Sequence, residues 1–80
     1  MSYQNNLQDT LAAAIMRGQE VIDVTYLGRQ VQVQLPEPQR AGTEWQKRTY
    51  ALYAAQRLIE VIRVKKEATS ITYLDTFSIC

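Results

Sequence analysis

The stretch Val21 to Pro36, VIDVTYLGRQVQVQLP, most narrows what this 80-residue chain can fold into. Ile22, Val24 and Tyr26 alternate with Val21, Asp23 and Thr25, and Val31, Val33 and Leu35 alternate with Gln30, Gln32 and Gln34. A period of two marks strands with one face in a core and the other in water. Between the runs lies Leu27-Gly28-Arg29, where Gly28 can take the positive φ of a tight turn. The expectation is a β-hairpin with strands at about 20–27 and 29–36.

Ahead of the hairpin, Leu7, Leu11, Ala14 and Ile15 share a face at helical spacing, which predicts a helix over 6–17. Asn5 or Asn6 is placed to cap it, Asp9 sits in its first turn, and Gly18 is placed to end it in the left-handed conformation. The helix is short and must dock on the sheet to persist.

Beyond the hairpin, Pro36-Glu37-Pro38 stops the second strand, and Gln39 to Gln46 reads as a polar surface loop carrying Trp45. The segment from Lys47 admits two readings. Leu52, Ala55, Ile59 and Ile62 fit one helical face, while RLIEVIRV is rich in β-branched residues that suit strands. The favoured reading is two strands, about 48–55 and 58–65, turning near Gln56-Arg57, although that turn has no glycine. A final strand is expected at 70–77, with Ile71, Tyr73 and Phe77 on one face. One helix and five short strands then make a mainly β, α+β fold: a strongly bent antiparallel sheet closed into an Sm- or SH3-like barrel, capped by the helix.

Eighty residues allow one small domain, whose marginal core makes self-association an expectation. With 46% hydrophobic residues the chain is globular rather than disordered. Its longest apolar runs are too short to span a membrane, and the polar start MSYQNNLQDT is unlike a secretory signal. The only cysteine, Cys80, cannot form an intramolecular disulfide, and without histidine no metal-ligand set is expected. A cytoplasmic setting and no cofactor follow as expectations. The net charge of +1 hides a partition: residues 1–39 carry −2, residues 40–66 carry +5, and the tail carries −2. A basic middle suits an anionic partner or a merely solubilising surface.

The order of motifs resembles the WYL domain, a small barrel found in bacterial and phage regulators. Leu11-Ala12-Ala13-Ala14-Ile15 matches its opening helical motif, and Tyr26, Gly28, Arg29 and Pro36 occupy its strand-turn-strand positions. Tyr50-Ala51-Leu52-Tyr53-Ala54 falls on its naming strand, Ile59 to Val64 on the next, and Leu74-Asp75-Thr76-Phe77 on its closing motif. The chain departs from the family pattern at Ala51, Glu60 and Ile62. What the resemblance implies is binding without chemistry: a regulatory accessory that holds nucleic acid or a small anionic ligand.

The candidate contacts for such a ligand are Arg29, Lys47, Arg48, Tyr50 and Arg63. Guanidinium groups pair bidentately with phosphate or carboxylate, and tyrosines beside cations can stack on bases. The plainer reading makes Arg29 a solvated turn residue, Arg63 a stem packed on the sheet, and the tyrosines core residues. Trp45 is either folded back on the domain or open to a protein partner. No histidine base, metal cluster or phosphate-binding glycine loop points to catalysis. A protein–protein adaptor is the second expectation. A third arises if 44–65 is one helix, since helix–hairpin–helix resembles the small head–tail joining proteins of tailed phages. That resemblance implies structural assembly in a ring, and a helix content near 45% rather than about 20% separates it from the barrel.

Overall fold

The computed structural model describes residues 3–78, so Cys80 lies outside the described residues. The elements are α1 (Tyr3–Arg17), β1 (Val21–Tyr26), β2 (Arg29–Gln34), α2 (Glu44–Val64), β3 (Ser70–Thr72) and a closing 3-10 helix, η1 (Tyr73–Ser78). The sheet has three strands in the order β1-β2-β3, with β1 and β2 antiparallel and β2 and β3 parallel.

The hairpin forms as the alternation requires. Val24, Val31 and Val33 are buried, while Asp23, Thr25, Gln30, Gln32 and Gln34 are exposed. Tyr26 pairs with Arg29, so the loop is only Leu27 and Gly28, with φ of 52° and 77°. Two successive positive φ values are those of the type I′ turn, whose twist matches the flanking strands. Gly28 takes this at no cost, whereas Leu27 does so against the clash of its Cβ.

α1 begins at Tyr3, three residues before the expected start, so Asn5 and Asn6 lie inside the helix rather than capping it. Its end is the expected one. Gly18, at φ 81°, donates to Ile15 O at 3.0 Å, and Gln19 N donates to Ala14 O at 3.1 Å. That pair of bonds is a Schellman cap, which satisfies carbonyls left over by the last turn.

The five-stranded barrel is not what forms. The predicted strands 48–55 and 58–65 are one 21-residue helix, and the predicted strand 70–77 is a three-residue strand running into η1. About 52% of the chain is helical and 21% strand. Two features explain the outcome. Thr43 caps α2 reciprocally with Gln46: Gln46 N donates to Thr43 Oγ1 at 3.1 Å, and Thr43 N donates to Gln46 Oε1 at 2.9 Å. No Gly, Pro, Asn or Asp then interrupts residues 44–64, so nothing offers the chain a turn. The apolar residues meet at helical spacing, with Ala51, Ala54, Ala55, Leu58, Ile59, Val61 and Ile62 all buried. Burial of that whole face outweighs the few tenths of a kcal/mol per residue by which Ile and Val disfavour helix.

α1 and α2 pack together on one face of the sheet, over Val24, Val31, Val33 and Ile71. Alanines at the α1–α2 seam let the helices approach closely, and Gln8 Nε2 donates across it to Leu52 O at 3.1 Å. The opposite sheet face is open to water. η1 is tied to α2 by Arg57 Nη2 donating to Thr76 O at 2.9 Å. Asp75 accepts from Thr72 N at 3.0 Å and lies 3.6 Å from Lys65 Nζ.

Two predictions follow from this packing. Leu58→Ala, at a fully buried position, lowers stability by about 2–5 kcal/mol in urea unfolding, while Tyr53→Ala on the outer face changes it by about 0.5 kcal/mol or less. The Thr72 amide holds the Asp75 carboxyl below its ordinary range, opposed by partial desolvation and aided by Lys65. A depressed folded value means the contribution is present above the ordinary carboxylate pKa of about 4 and disappears as pH falls through the folded one. Melting temperature therefore drops below about pH 4, and Asp75→Asn flattens that drop.

Candidate functional site

The residues expected to bind an anion separate along α2 because the segment that carries them is a helix. Sixteen residues divide Lys47 from Arg63, a span of about 24 Å along the axis. Lys47 lies at the amino-terminal end, half-buried beside Glu44, Tyr50 and Ala51 in a groove of about 220 Å³. Arg48 is exposed and lines none of the grooves described here. Arg63 lies at the carboxy-terminal end with Lys66, Tyr26, Leu27, Ile62 and Arg29, around an open groove of about 480 Å³. Lys47 is thus brought to Tyr50, and Arg63 to Arg29, but the two groups do not form one surface.

Arg29 has a specific partner set. It is the first residue of β2, and the tight turn aims its side chain at the end of α2. Nη1 donates to Lys65 O at 3.0 Å and Nη2 to Ile62 O at 3.1 Å. α2 ends at Lys65 with φ −92° and ψ 75°, outside the left-handed region that normally closes a helix. The guanidinium satisfies carbonyls that such an ending leaves open, and its charge complements the negative end of the helix dipole. Arg29 is therefore neither a solvated tip nor a free anion ligand: it joins the hairpin to α2.

Tyr50 is likewise engaged. Its hydroxyl donates to Glu37 O at 3.1 Å and pins the loop after β2 against α2. Partial burial, helped by the negative potential of Tyr73 and Glu37, raises its pKa above the usual phenol value.

Trp45 sits in the first turn of α2, not in a loop, and is 74% exposed. With Gln39, Gln46, Thr49, Tyr50 and Tyr53 it borders a shallow depression of about 450 Å³. Tyr53 follows eight residues on, about two turns along the outward face, and is 58% exposed. Val64, Leu74 and Phe77 are also exposed apolar residues, the last with its ring edge-on to Tyr73 at 5.7 Å. The sequence reading offers Tyr53 only as a stacking tyrosine and gives Val64, Leu74 and Phe77 no role at a site, because it assigns them to strands of a barrel. The signal that finds Tyr53 is the capping box Thr43-x-x-Gln46, which starts a helix and puts Trp45 and Tyr53 on one side.

Among the described residues no three or more acidic, cysteine or histidine side chains gather as a metal site, and no helix is long and apolar enough to cross a membrane. The segments that resemble the WYL naming strand and its successor, Tyr50 to Ala54 and Ile59 to Val64, lie within α2, and Leu74 to Phe77 lies in η1. Comparison with protein families, with curated proteins and with solved structures finds no match.

Arg29 separates from Arg63 in its energetics. Arg29→Ala costs about 1–2 kcal/mol, as expected for charged hydrogen bonds to helix-end carbonyls, whereas Arg63→Ala stays within about 0.5 kcal/mol. Urea unfolding of the two variants measures the difference.

Proposed function

We propose that this chain is a non-enzymatic structural module that works by docking protein surfaces in a multi-subunit assembly. The observation that carries the reading is the exposure of Trp45 and Tyr53 along α2, with Leu74 and Phe77 exposed on η1, on a domain whose own core is already closed. Large rigid aromatics held in water by a helix, as Trp45 and Tyr53 are, are the residues that anchor protein interfaces. The helix–hairpin–helix order, with about half the chain helical, also supports the resemblance to small head–tail joining proteins of tailed phages. The implied role is assembly in a ring, without chemistry.

A second reading, binding of nucleic acid or a small anionic ligand, draws on the groove where Arg63 and Lys66 flank Tyr26 and Leu27. It has fewer free donors than the sequence implied, because the Arg29 guanidinium is committed to α2.

The sole tryptophan makes the test direct. As concentration rises, sedimentation is expected to show species larger than a dimer, with Trp45 emission moving to the blue as the ring leaves water. Trp45→Ala with Tyr53→Ala is expected to abolish those species while leaving the circular dichroism unchanged. Assembly that proceeds equally well in the double variant refutes docking through this strip. Retention of labelled RNA or DNA at about 50 mM salt, falling steeply as salt rises, favours the anion-binding reading instead.

A further inference from the structure

Among the described residues β1 is an edge strand with no strand on its outer side. Its hydrogen-bonding polarity follows from one bond beyond its end: Leu35 N donates to Glu20 O at 2.8 Å, which makes Glu20 and Leu35 a hydrogen-bonded pair. Alternation along an antiparallel ladder then directs the peptide groups of Ile22, Val24 and Tyr26 toward β2. Those of Val21, Asp23 and Thr25 point outward. Two further bonds agree: the Gln19 side chain reaches Val21 O from outside at 3.4 Å, and Gln32 N turns toward β3 to donate to Thr69 O at 2.8 Å.

This edge lacks the usual protections. It has no lysine, no proline and no bulge, and it runs six residues in unbroken register with β2. Beside it, Leu7 and Thr10 of α1 and residues 23–28 bound an open groove of about 600 Å³. At its two ends stand exposed apolar residues, Val21 at 39% exposure in the strand and Leu27 at 84% in the turn, where it borders the grooves beside α1 and α2. Leu27 is the more telling. It occupies a left-handed position that Asn or Gly fills at lower cost, and it has almost no contact within its own chain.

We infer that two copies of the chain pair β1 against β1 about a two-fold axis through Val24, making one continuous six-stranded sheet. A second copy fits because this strand is complementary to itself in that register. Asp23 of each copy lies opposite Thr25 of the other, so their outward N–H and C=O groups exchange both ladder bonds. The Thr25 hydroxyl faces the Asp23 carboxylate across the pair. Ile22 lies opposite Tyr26 on the apolar face, and Val24 meets its own copy there. Val21 at the start of one strand lies at the position opposite Leu27 in the turn of the other copy, so each end of the pairing brings two exposed apolar residues to one another's level. The two Asp23 carboxylates are diagonal neighbours, about 7–8 Å apart, rather than directly opposed. A register centred on Asp23 instead would oppose like charges, which disfavours it. The pairing is isologous and closes at two copies along this edge. It does not rest on the assembly reading above, since it uses β1 and leaves Trp45 and Tyr53 free.

Light scattering of the full chain carrying Trp45→Ala and Tyr53→Ala, which removes the larger assemblies, is expected to show a mass twice that of one copy of about 9.2 kDa at concentrations up to about 1 mM. Thr25→Pro removes an outward donor without touching the β2 ladder, and proline is tolerated at such an edge. It is expected to weaken the dimer about tenfold or more. Leu27→Asn is expected to raise the melting temperature of the dilute monomer while also weakening the dimer. Val21→Cys with Leu27→Cys, in a Cys80→Ser background, is expected to cross-link one copy to the other on oxidation. The two positions are about 20 Å apart along one extended strand and cannot bridge within a chain. A monomeric mass throughout overturns the proposal. So does a dimer that Leu27→Asn leaves unchanged, or one in which the cysteine pair fails to cross-link. The cross-link decides the matter even if Thr25→Pro disturbs the hairpin. Loss of larger species in the Trp45 variant with the cross-link retained refers to the assembly strip alone.

Discussion

The structure depends on burying one face of α2 against one face of the hairpin. β2 is the centre of the sheet, with β1 antiparallel on one side and β3 parallel on the other. A parallel neighbour cannot be reached by a tight turn, so the chain must cross over the sheet, and α2 is that crossover. Its buried alanines, leucine and isoleucines cover Val31 and Val33, while its position brings Ile71 into line beside Val33. Removing this helix from the sheet would leave a two-stranded hairpin and a short helix, neither stable alone.

From that constraint the remaining contacts follow. Because α2 ends above the hairpin turn, Arg29 can reach its last carbonyls, and the tip and the helix end are fixed to each other. Because α2 starts beyond the loop after β2, Tyr50 can hold that loop through Glu37 O. Two side chains expected to meet a ligand, Arg29 and Tyr50, thus hold elements together. Beside exposed charges such as Arg48, Arg63 and Lys66, the fold leaves over exposed aromatics on α2, an open strand edge, and a sheet face of glutamine, threonine and serine with Asp23.

Much of the fold was legible where sequence and local physics agree. The period-two runs set the hairpin and its faces, and Leu11, Ala14 and Ile15 form the buried face of α1. Gly18 stops that helix as its φ of 81° allows. The segment from Thr43 was misread because β-branched residues in RLIEVIRV were weighed above the capping box and the missing turn. Propensity is a small effect per residue, and a capped, uninterrupted apolar face outweighs it. The layout of the candidate site changed with the element: Lys47 and Arg63, expected on strands of one small barrel, stand about 24 Å apart along a helix. Trp45 keeps the exposed position that one reading of it requires, as do Arg48 and Arg63.

By itself the sequence determined the local units: a helix stopped by Gly18, a hairpin turned at Leu27-Gly28, and a core face drawn from alternating valines. These depend on neighbours a few residues away, whose spacing is visible in one dimension. Only the tertiary structure decided which way 44–64 would go, since that depended on whether its apolar face found a sheet to cover. It also decided that Arg29 caps a helix 33 residues along the chain, and that β1 rather than β2 is left at the edge. Such outcomes depend on long-range packing, which fixes the use of a side chain only after every element has a place.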